Sequence, residues 1–151
     1  MCKYLDISSR TIQRWRKNGL TDKRKGASKN VPKNAKLIFW GNNDITARST
    51  FITHKKIQIG VNTVISWDCL FMDTDFHNVL HHSEIMNPDR EITIGNNCWI
   101  GCRCTILTDF ILPDNCVLGA NSVGTKRLDC ENSLYAGNPA ILKKNNITWN
   151  G

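Results

Sequence analysis

The sequence predicts an all-β chain, built for most of its length as a parallel β-helix of about four to five triangular coils with a protruding loop. A short N-terminal helix and a basic linker are expected ahead of it. Two observations predict the β-helix. Large apolar residues recur every six positions: Ile45, Phe51 and Ile57; Ile59, Ile65 and Phe71; then Ile94, Ile100, Ile106, Leu112 and Leu118. A step of six is neither helical nor simple strand alternation; it sets one short strand and one turn per hexapeptide, and three hexapeptides close a coil. The second observation is that the positions between these residues are specialised too.

One residue after the apolar position stand Gly60, Gly95, Gly101, Pro113 and Gly119, small or turn-prone. Three residues after it stand Asn62, Asn97, Asn115 and Asn121, a residue type that tolerates the left-handed backbone of a tight corner. Four residues after it stand Ser49, Thr63, Cys69, Cys98, Cys104, Cys116 and Ser122. That slot calls for a small side chain pointing into a narrow coil, and a buried free cysteine behaves as a small hydrophobe. The cysteine-rich stretch NCWIGCRCTIL (97–107) is therefore lattice, with only Cys102 falling elsewhere. It lacks the paired CxxC halves of a zinc site, so no metal is expected.

Coils stack about 4.8 Å apart, so four to five make a prism roughly 20–25 Å tall. Its core is thin and its faces need cover, for which an oligomer is the natural remedy.

With 151 residues the chain has room for one ordinary domain and a small appendage. No run of 18 apolar residues occurs, so no membrane span is expected. The N-terminus MCKYLDISSRTIQRW has no apolar secretory core. A cytoplasmic, reducing setting follows as an expectation, with the seven cysteines as thiols.

Charge divides the chain. Residues 1–36 hold 11 Lys/Arg against 2 Asp/Glu, net +9, whereas residues 37–151 hold 9 against 11, net −2. Two segments are expected, 1–36 and 37–151. Ser8 or Ser9 caps an expected helix running to about Lys17, stopped by Gly19, and DKRKGASKNVPKNAKL reads as an extended basic linker. SRTIQRW resembles the recognition helix of an insertion-sequence transposase helix-turn-helix, but residues 1–5 are too few for the supporting helix. Weak, salt-sensitive nucleic-acid binding through the positive charge, or a disordered tail, is the expectation for 1–36.

Residues 37–149 resemble the hexapeptide-repeat acyltransferases, in the maltose/galactoside and polysaccharide O-acetyltransferase branch. The resemblance rests on IGVNTVISWDCLFMDTDFH (59–77), ITIGNNCWIGCRCTIL (92–107), LPDNCVLGANSVGTK (112–126) and LYAGNPA (134–140). It implies a left-handed β-helix, a homotrimer, acetyl-CoA in a groove between neighbouring prisms, and a sugar or saccharide hydroxyl as acceptor.

The stretch MDTDFH carries the activity. An alcohol attacking a thioester must lose its proton as the C–O bond forms, and imidazole titrates near neutrality. The resemblance makes His77 that base. Asp73 and Asp75 alternate with it: Asp75 is the preferred helper and Asp73 a candidate for an acceptor hydroxyl, though either carboxylate serves equally as a turn cap. His54, His81 and His82 lack such context. No nucleophile with an adjacent base is evident, so direct transfer is favoured over an acyl-enzyme. By resemblance, Cys102, Ala120, Thr125 and Lys126 line the coenzyme, a backbone N–H near Cys102 meets the oxyanion, Gly137, Asn138, Pro139 and Ala140 turn beside its adenine end, and Lys144 meets a phosphate. Ile141 stands where such enzymes usually carry Lys or Arg, and Lys143 and Lys144 are left to compensate.

Two other readings compete. One is a DNA-binding protein of transposase descent, against which nothing after residue 36 suggests the acidic constellation of a transposase. The other is a sound but catalytically impaired β-helix fused to a transposase-derived fragment, because such enzymes carry a helical segment and first coils where this chain has residues 1–44.

Overall fold

The computed structural model describes residues 5–7, 32 and 34–150, and among these all regular structure is β. The expected helix lies outside the described residues, as does most of the expected linker; the linker's end is not extended linker, because Lys36 and Leu37 already pair in a strand of the first coil. Strand β1 (Leu5–Ile7) pairs antiparallel with a strand of the first coil. That coil comprises β2 (Lys36–Phe39), β3 (Asp44–Ile45) and β4 (Ser49–Ile52), the last being the partner of β1. The second comprises β5 (Lys56–Ile59), β6 (Val64–Ile65) and β7 (Leu70–Met72). The chain then leaves the lattice and makes a hairpin, β8 (Leu80–His81) with β9 (Glu84–Ile85). The third coil is β10 (Ile92–Ile94), β11 (Trp99–Ile100) and β12 (Thr105–Ile106); the fourth is β13 (Ile111–Leu112), β14 (Val117–Leu118) and β15 (Val123–Gly124). A fifth, partial turn supplies β16 (Leu134–Ala136), against which β17 (Ile141–Lys144) folds back antiparallel.

Corresponding strands of successive coils pair in parallel, forming the three faces of a left-handed prism. The six-residue step becomes vertical stacking: Ile45, Ile65, Ile100, Leu118 and Tyr135 lie in one column. All are buried, as are the other apolar positions read from the repeat. Burying one such side chain contributes about 1.5–3 kcal/mol, and the step repeats that gain along the whole prism. The Asn corners take the left-handed conformation, with φ of 54° at Asn62, 51° at Asn97, and 58° at both Asn115 and Asn121. At the preceding glycines contact decides the residue. A Cβ on Gly60 would collide with the Gly95 carbonyl, and one on Gly101 would sit 2.5 Å from the Ala120 nitrogen.

The small-residue slot has a second requirement that size alone does not reveal. Its side chains are buried, and all but Ser122, which donates to Gly119 of its own coil, donate to carbonyls of the next coil. Thr63 donates to Gly95 at 3.1 Å, Cys98 to Pro113 at 3.1 Å, Cys69 to Gly101 and Cys104 to Gly119 at 3.2 Å, and Cys116 to Cys130 at 3.2 Å. Serine, threonine and cysteine share that slot because each is a small donor. Burial pushes the Cys98 thiol up to about 12, and burial likewise raises that of Cys116. One slot departs: Phe110 occupies it with its ring fully buried, and Gly124 replaces the expected apolar residue because a Cβ there would meet that ring at 2.5 Å.

Candidate active site

The site begins at the corner that leads out of β4. Asp73, one coil above, turns its fully buried carboxylate onto this corner. It accepts hydrogen bonds from Thr53 Oγ1 (2.8 Å), His54 N (2.6 Å) and Lys55 N (3.0 Å). Its oxygens are thus engaged in holding two coils together, the turn-capping alternative of the sequence reading. Immediately beyond, residues 74–91 leave the lattice.

The loop is tied at both legs. On the outgoing leg, Phe76 N donates to Thr74 Oγ1 at 3.1 Å, and Phe76 adopts a left-handed backbone with φ 61°. A bulky residue there stores roughly 1–2 kcal/mol of strain, which its surroundings must offset. On the return leg, Asp89 Oδ2 lies 3.2 Å from His54 Nδ1, the Arg90 guanidinium meets Asp109 at 2.7 Å, and Lys56 pairs with Glu91. The hairpin at the tip turns on His82 and Ser83, both with positive φ, and exposes Val79, Leu80, Ile85 and Met86.

His77 sits on the outgoing leg and is exposed; its imidazole makes no hydrogen bond with any described residue. Its backbone is held by Asn87, whose Nδ2 donates both to the His77 carbonyl (2.9 Å) and to Asp75 Oδ2 (2.9 Å), and whose Oδ1 accepts from Val79 N (2.6 Å). Asp75 is therefore tied to His77 through Asn87 and the main chain. Sequence reasoning missed Asn87, Asp89 and the left-handed Phe76. The segment 87–89, Asn-Pro-Asp, looks like an ordinary turn and carries no signal of its three-way contact.

The other expected site residues fall on a different edge. Cys102 is half-buried and Ala120 exposed at the corner following β11 and β14, stacked so that Asn121 N donates to the Cys102 carbonyl at 2.9 Å. Gly101, Cys102, Gly119 and Ala120 bear nothing longer than a thiol, so a ligand can approach main chain there. Thr125 and Lys126 are exposed after β15, on the same edge as the His77 loop but two coils further along. Gly137, Asn138 and Pro139 are exposed, whereas Ala140 is buried; Val123 N donates to the Gly137 carbonyl and Ala140 N to that of Val123. Lys144 is exposed at the end of β17. One face, six residues or roughly 20 Å across at about 3.3 Å per residue, separates the loop that carries His77 from the Cys102 and Ala120 corner. Beyond β17 the tail folds back on the prism, Ile147 N donating to the Asn132 carbonyl (2.8 Å) and Trp149 Nε1 to that of Asn97 (2.9 Å). No helix among the described residues is long and apolar enough to cross a membrane.

Residues 91–123 match the family model described as bacterial transferase hexapeptide (six repeats). An uncharacterized 24.8 kDa protein in the cps region of Klebsiella pneumoniae is 35% identical over 105 residues, 70% of this chain and 47% of that protein. The galactoside O-acetyltransferase of Escherichia coli K12 is 33% identical over 93 residues, 60% of this chain and 44% of that enzyme. Among solved structures, a polysialic acid O-acetyltransferase superposes with a TM-score of 0.71 at 29% identity, covering 76% of this chain and 56% of that one. Residues 91–123 carry the hexapeptide repeat of the bacterial transferases, and the resemblance to hexapeptide-repeat acyltransferases read from the sequence holds. It spans about half the length of the curated relatives it matches.

Proposed function

We propose that the chain is an acetyl-CoA-dependent O-acetyltransferase acting on a hydroxyl of a sugar or polysaccharide precursor. The observation that carries this reading is the exposed His77, held by its backbone on a tethered loop at the edge of a transferase-type prism. The polysaccharide and galactoside O-acetyltransferases that the chain resembles support the acceptor class.

In this reading His77 takes the proton of the acceptor hydroxyl as the oxygen attacks the thioester carbonyl. The tetrahedral species collapses with cleavage of the C–S bond, and the imidazolium returns the proton to the departing sulfur. One acetyl group and one proton exchange places, with no acyl-enzyme. Acetyl-CoA supplies the activated acyl group. Cys102 and Ala120 border its pantetheine arm, with a main-chain N–H near Cys102 for the oxyanion. Thr125, Lys126, Gly137, Asn138, Pro139, Ala140 and Lys144 serve its distal end. The separation of the two edges within one prism is why we take the active unit to be a homotrimer. Each site then forms between the His77 edge of one protomer and the Cys102 and Ala120 edge of its neighbour. Asp75 orders the loop through Asn87. Asp73 secures the loop's root, and its buried carboxylate reaches an acceptor only through that framework. Residues 1–36 form a separate basic segment, anchored on the first coil through β1 and capable of weak nucleic-acid binding.

The test is thiol release from acetyl-CoA over a panel of saccharides, with wild type and His77→Ala, after a mass measurement in solution. Acceptor-dependent release by a trimer, lost in the variant, supports the reading. A monomer that fails to bind coenzyme A overturns it in favour of an impaired β-helix.

A further inference from the structure

His54 has a place in this loop that the proposed reaction does not require. It lies on the first coil, outside the loop, yet touches both legs. Its Nδ1 is 3.2 Å from Asp89 Oδ2 on the return leg. Its ring meets that of Phe76 edge-on, with centroids 5.6 Å apart and planes at 84°, on the outgoing leg. Its own N–H donates to Asp73 at 2.6 Å, which fixes the ring's starting point to the buried carboxylate. Asp89 accepts, so Nδ1 is the protonated nitrogen. Phe76 is one of three left-handed residues of the loop, with His82 and Ser83 at its tip, and it is the immediate neighbour of His77.

We propose that His54 is a positioning residue for His77. Its imidazole is the wedge on which Phe76 rests in the left-handed conformation, and its Nδ1–H clasps Asp89, so one side chain closes the stem. With the stem closed, the direction in which residue 77 leaves the prism is set. With it open, Phe76 relaxes toward ordinary backbone and carries His77 with it. A displacement of about 1 Å at a reacting group costs on the order of 100-fold in rate. The catalytic half of this proposal rests on the acetyltransferase reading; the structural half does not.

The experiment takes the full chain through four variants: His54→Ala, His54→Asn, which keeps a donor toward Asp89 without the ring, His54→Phe, which keeps the ring without the donor, and Asp89→Asn. Two readouts are collected. Amide hydrogen exchange across residues 74–91 is expected to speed at least about 10-fold in His54→Ala while the coils at 92–124 keep their protection. The Asn and Phe variants should fall between it and wild type. In turnover, His54→Ala is expected to lower kcat roughly 10- to 100-fold with the KM for acetyl-CoA within about threefold. Combining His54→Ala with Asp89→Asn should add little, because both open the same clasp. Unchanged loop exchange in a folded His54→Ala protein overturns the proposal, as does a kcat within about twofold of wild type. If wild type releases no thiol while loop exchange still responds, the clasp stands and the transferase reading falls.

Discussion

The coils and the loop of residues 74–91 solve the same problem, satisfying main chain outside a regular sheet, in opposite ways. In the coils each solution repeats. A carbonyl at a corner meets a Ser, Thr or Cys from the coil below, and at Gly60, Gly95 and Gly101 the next coil's backbone occupies the space of a Cβ. In the loop nothing repeats. Asn87 makes three hydrogen bonds, His54 joins two legs, and Phe76 holds a backbone conformation that its residue type disfavours. Repetition makes stability; the single-use contacts hold the main chain of an exposed histidine, His77.

That contrast can be broken from either side. The largest effect is expected from His77→Ala, which, if the proposed reaction holds, should cut kcat by at least about 100-fold without moving Tm or the mass in solution, because the exposed side chain packs on nothing. Next comes Gly101→Val in the lattice. Its branched side chain would meet the Ala120 main chain, and a loss of about 3 kcal/mol or more, read by urea unfolding, is expected. Asp73→Ala spans both regions. It strands three donors, so a loss of about 3 kcal/mol is expected together with faster exchange in the loop, and a stability change confined to the loop would blur the distinction. Smaller again is the pair Cys98→Ser and Cys98→Val. Serine keeps the donor to Pro113 and should cost less than valine, which matches the burial but leaves that carbonyl unmet, by about 1 kcal/mol. Equal losses would show that the slot selects size only.

The smallest effect is alkaline. The folded Cys98 thiol is raised from its ordinary 9.0 to about 12, so the unfolded chain releases its proton first as pH rises. The contribution of that thiol is complete below about pH 9 and is lost progressively as pH climbs toward about 12. Tm should fall across that window, and less so in Cys98→Ser. Alkylation at about pH 8 should label exposed Cys130 well before Cys98 or Cys116.

Much of the β-helix was legible because its physics is periodic. Ile45, Ile65, Ile100 and Leu118 must stack if every sixth side chain points inward, and Asn62, Asn97, Asn115 and Asn121 must turn left-handed if every corner is tight. The proposal for His77 comes from the resemblance of MDTDFH, not from any period. What the sequence by itself determined is therefore the core, the corners and the identity of the side chain offered at the loop. Tertiary structure alone decided that Asp73 caps a corner, that Asp75 reaches His77 by way of Asn87, and that His54 meets Asp89 thirty-five residues away. It also decided that β1 extends the sheet of the first coil. The physical reason is range: a six-residue period is local and recurs, so composition at fixed spacing reveals it. A contact made once between distant residues leaves no pattern along the chain, and only the fold that closes the distance displays it.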